Sequence, residues 1–173
     1  MSSASAATDW GFLGEEFLTW LWYRTDTKGG DFELAGKRHV GVVLDDFLAF
    51  APRDQDQVEQ TLKKGLPTHS AEAATALRNG SRLRRAKLIL AEGQAQWTVT
   101  IDGPTMSLLS VRLPEDDEEA TEPKEVSIER ALGFWRAHEI VSGLYRHFLD
   151  VRLKPDYLKS TGEAQANWMQ SRG

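Results

Sequence analysis

His39, His69, His138 and His147 are the first residues to test for acid–base or metal chemistry. Their spacing supports neither. His138-Glu139 begins the pattern of a zinc hydrolase, but position 142 is Ser142, so the second histidine one helical turn on is missing. Asp45, Asp46 and Asp102 suggest a divalent cation poised for phosphodiester cleavage. Paired aspartates at a strand end are a weak signal for that reading, which a magnesium-dependent loss of DNA would mark. Phosphate-cradling GxxxxGK[ST] and GxGxxG loops are lacking, and no serine occupies a GxSxG elbow. The chain has no cysteine, which excludes thiol nucleophiles, disulfides and thiolate-held metals. The expectation is a protein that is not an enzyme and uses no metal or cofactor.

Charge is the stronger signal. The 173 residues carry 21 basic and 26 acidic side chains, a formal charge of -5. This excludes a uniformly basic nucleic-acid binder but not a local patch. Residues 60–90 hold seven bases, Lys63, Lys64, Arg78, Arg82, Arg84, Arg85 and Lys87, against the single acid Glu72. Residues 115–125 reverse the sign, with seven acids against Lys124. Several cations on one surface, with no fixed base-reading geometry, suit phosphate contacts whose affinity falls steeply with salt. The alternative is a solvated face, neutralised by the acidic linker; that linker would also shield the patch when no ligand is bound.

These cations must be positioned by a soluble core. At 40% apolar and 27% charged residues, the composition is that of one globular domain. No apolar run reaches the roughly 18–20 residues of a membrane span. Residues 1–8 read as a loose tail without the basic start and apolar stretch of a signal peptide, so a cytoplasmic location is expected. Residues 9–24 form a helix so rich in apolar side chains, Trp10, Phe17, Leu18, Trp20, Leu21 and Trp22 among them, that it must be covered on more than one side. Residues 32–34 and 40–50 read as strands, and 58–64 as a strand or a helical turn. Ser70 and Gly80 bound a short helix as N-cap and C′ residue. A meander follows at 82–91, 96–102 and 107–113, with turns at Glu92-Gly93 and Gly103-Pro104. In its first strand Arg85 and Lys87 share one face and Arg84 takes the other. After an acidic linker (114–125), residues 127–153 form a long helix with the buried stripe Ala131, Phe134, Val141, Leu144, Phe148 and Val151. Trp97 and Trp135 are read as core, and Trp168 as the lone aromatic of a polar C-terminal tail (157–173). The fold class is α+β: an antiparallel meander packed against an aromatic N-terminal helix and a long C-terminal helix, in one domain over 9–156.

The ordered segments KKGLPTHSAEAATALRNGSRLRRAKLIL, QWTVTID and SLLSVRL, preceded by FLTWLWYR, resemble the carboxy-terminal half of the recombination-associated RdgC family. The resemblance runs over residues 10–153. It implies a nucleoid-associated protein that binds duplex DNA without regard to sequence, forms a ring-shaped homodimer with a basic hole, and modulates recombination alongside recombination proteins. By position, Lys64 and Arg85 match basic residues of that hole. Ser81 stands where the family carries a lysine, with Arg82 beside it, and the family's additional amino-terminal half has no counterpart here. The second expectation is a protein–protein module docking through the aromatic first helix.

Overall fold

The structure is a computed structural model that describes residues 11–51, 59–114 and 123–172. The expected tail at 1–8, Trp10 and most of the acidic linker lie outside the described residues. Helix α1 (Gly11–Lys28) is followed by strands β1 (Asp31–Leu34), β2 (Arg38–Ala51) and β3 (Gln60–Lys63). A 3-10 turn (Pro67–His69) leads into helix α2 (Ala71–Arg78). Strands β4 (Arg82–Glu92), β5 (Ala95–Asp102) and β6 (Ser107–Arg112) form the meander. Helix α3 (Pro123–Arg152), a π-helical turn (Leu158–Gly162) and helix α4 (Glu163–Ser171) complete the chain. The fold is α+β, with all strand pairs antiparallel in the order β1-β2-β4-β5-β6. β3 pairs with β2 beyond β1, on residues 47–50, whereas β1 takes residues 38–41.

The alternation of Trp97, Val99 and Ile101 with Thr98 and Thr100 sends the first set into the core and leaves the second only partly covered. Leu88 and Leu90 of β4 and Val40, Val42 and Leu44 of β2 extend the same buried face. Val43, Ile89, Thr98, Thr100 and Ser110 look the other way and are partly or fully exposed, as expected of an antiparallel sheet with one wet face.

Helix α1 is covered on several sides, as its composition requires. Phe17 meets Tyr145 and Phe148 of α3, Trp20 meets Phe32 and Phe148, and Trp22 meets Phe50 and Trp168. Its approach to the β5–β6 turn is backbone against backbone. A Cβ on Gly14 would stand 1.6 Å from the Gly103 carbonyl oxygen, so glycine is required there. Thr19 stitches α1 to the sheet, donating to the Glu15 carbonyl and accepting from the Leu83 amide at 3.3 Å. Helix α2 has the expected ends. The Ala73 amide donates to Ser70 Oγ, while the amides of Gly80 and Ser81 reach back to Leu77 and Ala76 in a Schellman closure. Gly80 has φ +78°, the left-handed conformation this closure needs.

Two expectations are corrected. Residues 157–172 are not a polar tail: they fold back, and Trp168 is buried against Trp22 and Tyr23 with its indole N–H donating to Asp26 at 2.7 Å. Helix α3 is buried through Ala137, Ile140, Val141, Leu144 and Phe148, while Ala131, Phe134 and Trp135 are exposed. Over 30 residues it runs about 45 Å, longer than the sheet needs covered, so its first turns overhang. The Trp97 indole N–H donating to the Gly133 carbonyl, and Gly133 against Leu113, anchor the helix near that overhang.

Candidate nucleic-acid interface

Strand β4 carries four of the seven expected cations, and β-bulges decide where they point. Leu44 pairs with Leu88 but Leu48 with Ala86, so Asp45, Asp46 and Phe47 bulge out of β2 beside Lys87. Ala49 pairs with Arg85 but Phe50 with Leu83, leaving Arg84 as the extra residue of β4. This breaks the simple alternation that set Arg84 on the opposite face. Arg84 and Arg85 instead converge on Glu59, at 3.8 and 3.4 Å.

All four cations meet carboxylates. Arg82 lies 3.1 Å from Glu15, Arg85 also binds Asp102 at 2.9 Å, and Lys87 bridges Asp45 and Asp46 at 3.1 and 2.9 Å. Four positive charges therefore face five negative ones. Burial pushes the Asp102 carboxyl up, but hydrogen bonds from Arg85 and Thr105 outweigh it and hold the group below its ordinary range. Hydrogen bonds to Asp46 and Asp45 raise the Lys87 ammonium, and that to Asp102 raises Arg85. Burial raises Glu15 against the opposing fields of Arg82 and Arg84. These pairs fix β4 to β2, β5 and α1; they do not form an unneutralised stripe.

Lys63, Lys64 and Arg78 are placed differently. All three are exposed, and among the described residues none has an acidic partner within ion-pair distance. Lys63 stands 5.7 Å over the Phe47 ring. Lys64 adopts φ +72° and donates its backbone N–H to Asp46, which turns the chain out of β3. With Asp46, Phe47, Lys87 and Thr100, Lys63 and Lys64 border an open depression of about 400 Å³ on the wet face of the sheet, where the Asp46 carboxylate is held by Lys87 at 2.9 Å. Arg78 lies apart, at the end of α2, its guanidinium near the Thr75 hydroxyl. The structure thus brings Lys63, Lys64 and Lys87 together and separates them from Arg78 and Arg82. It adds Arg112, missed in the sequence, which pairs across from Thr98 and so shares that face. The signal for it was the alternation Arg112–Ser110 at the end of β6.

Asp45 and Asp46 are held by Lys87, and Asp102 by Arg85 and Thr105. No group of three or more metal-ligating side chains occurs among the described residues. No helix among them is long and apolar enough to cross a membrane. Comparison of the chain with protein-family models, curated proteins and solved structures found no match.

Proposed function

We propose that the chain is a non-enzymatic nucleic-acid-binding module that holds the phosphate backbone at the Lys63–Lys64 corner of the wet sheet face. The observation that supports this reading is the pair of adjacent exposed ammonium groups, free of ion-paired acidic partners among the described residues, on a depression whose one acidic lining residue, Asp46, is taken up by Lys87. Arg112 extends the surface across the sheet, and Arg78 is a rim contact. Arg82, Arg84 and Arg85 serve the fold in this reading. Sequence independence follows from contacts made to phosphates and not to base edges. Duplex as the target, a homodimeric state and a role in modulating recombination enter the proposal from the family resemblance alone.

Phosphate contacts by Lys63, Lys64 and Arg112, with Arg78 left at the rim, imply a modest slope of log K against log salt, roughly -2 to -3. The test is a salt-titrated binding assay on random-sequence duplex. Lys63→Glu with Lys64→Glu is expected to abolish binding at low salt, and Arg82→Gln to leave it nearly intact. Unchanged affinity in the double variant would remove the proposed surface.

A second reading, self-association, is favoured by the overhang of α3. Ile128, Leu132 and Trp135 are 54%, 61% and 66% exposed and follow one another at four and three residues, so they form one apolar stripe. Of the aromatic side chains of α1, Phe17, Trp20, Trp22 and Tyr23 are buried in the core and Phe12 alone among the described residues is exposed, at 37%. Sedimentation velocity on Leu132→Asp tests this second reading: a dimer that becomes a monomer supports self-association through this stripe, and a monomer in both forms refutes it.

A further inference from the structure

A second set of cations gathers from segments far apart in the chain. Arg24 and Lys28 come from the last turns of α1, His147 and Lys154 from the end of α3 and just beyond it, and Thr161 from the π-helical turn. Together they line a pocket of about 440 Å³ whose lining contains no acidic side chain. That volume falls in the range of small-molecule sites. Among the described residues, Arg24, Lys28 and Lys154 form no ion pair, in contrast to the cations of β4. Arg24 is held with its guanidinium 5.0 Å over the Phe32 ring, which fixes its position without spending its charge. Trp20 and Phe32 fix the His147 ring at 5.9 and 6.1 Å. π-Helical turns interrupt ordinary helix geometry and recur at functional sites; this one brings Thr161 to the pocket lining.

We propose that this pocket binds the phosphate group of a phosphorylated small molecule, with Arg24, Lys28 and Lys154 supplying the charge and Thr161 a hydroxyl donor. Three cations with no acidic lining match a dianion better than a carboxylate or a neutral ligand, and Val151, Ala164 and the edge of Trp20 leave an apolar flank for the rest of the molecule. The site is independent of the Lys63–Lys64 surface. His147 supplies an internal reporter. Burial, then the positive charges of Arg24 and Lys154, hold its ring below its ordinary pKa, with Asp150 alone opposing. Lys28 and Tyr23 complete the titratable groups lining the pocket. A dianion bound among them adds negative charge beside the imidazole and must raise its pKa.

The experiment is an NMR titration of the full chain with inorganic phosphate, and with chloride at matched ionic strength. Phosphate is expected to give saturable shifts at Arg24, Lys28 and Thr161 and to move the His147 titration upward; chloride is expected to give neither. Lys28→Gln with Lys154→Gln should weaken phosphate at least tenfold, whereas Lys63→Gln with Lys64→Gln should not change it. Both pairs are exposed, so a folded chain is expected, and an unchanged amide spectrum outside the pocket verifies it. Equal shifts with chloride, an unmoved His147, or full affinity in the Lys28/Lys154 variant each overturn the proposal. Loss of duplex binding alone would leave it standing.

Discussion

The β4 cations and the Arg24–Lys28–Lys154 cluster form an instructive pair. The first are close in sequence and dominate any reading of local charge, yet each has a carboxylate within 4 Å. The second are spread over 131 positions of the chain and invisible to a charge window, yet they meet in one pocket without acids. Charge density along a chain therefore says little about the field at a surface. What matters is which strand or helix lies next door, and antiparallel neighbours contributed by distant segments decide that.

The contrast can be broken most forcefully at the wall shared by α1 and α4. Trp168→Ala removes a buried indole and its bond to Asp26, and is expected to cost about 3–5 kcal/mol in urea unfolding. Arg172, which pairs with Asp26 and lies over the Trp22 and Trp168 rings, would lose part of its seat as well. A loss under about 1 kcal/mol would mean that the terminal helix is not integral to the fold. Next is Asp102→Asn. It leaves Arg85 with a weaker acceptor at a mostly buried site, and about 2 kcal/mol should be lost. If β4 cations were free for a ligand, stability would barely change.

Acid sharpens the same point. Asp102 and Glu92 both have carboxyls held below the ordinary range. For Glu92, burial pushes up while hydrogen bonds from Arg38 and Arg136 pull further down. As pH falls, the unfolded chain takes up these protons first. The stabilisation is complete above roughly pH 5 and drains away as pH drops through the folded values. Glu15, raised by burial, acts with the opposite sign and offsets part of the loss. Urea midpoints should therefore fall with acid, and Asp102→Asn should flatten the decline; equal slopes in both proteins would contradict the assignment. The smallest effect is expected at the open cluster. Lys28→Gln or Lys154→Gln should shift stability by no more than about 0.5 kcal/mol, because neither side chain has a partner to lose among the described residues. A larger cost would expose a structural role.

Much of the fold was legible because its cues are local. The Ser70 and Gly80 helix boundaries, the period-two pattern of Trp97–Ile101 and the turns of the meander each declare themselves within a few residues. The errors came where partners are remote. Trp135 and Trp168 exchanged their expected places, since burial of the first depended on how far α3 outruns the sheet and that of the second on a chain reversal written in polar residues. At the candidate site, exposed Lys63 and Lys64 could be picked out from sequence, but the clamps on Lys87 and Arg84 depend on bulges that no alternation pattern reveals, and those on Arg82 and Arg85 on partners in α1 and β5.

The meeting of Gly14 with Gly103 has a mechanical consequence. A crossing made of main chain alone has no rotamers to flip and no gap to close, so the first helix and the hairpin it touches travel as one piece or come apart entirely. Any accommodation to a visiting molecule has to be sought away from that weld, and the first part of α3, where Ile128 and Leu132 stand exposed among the described residues, is a place for it.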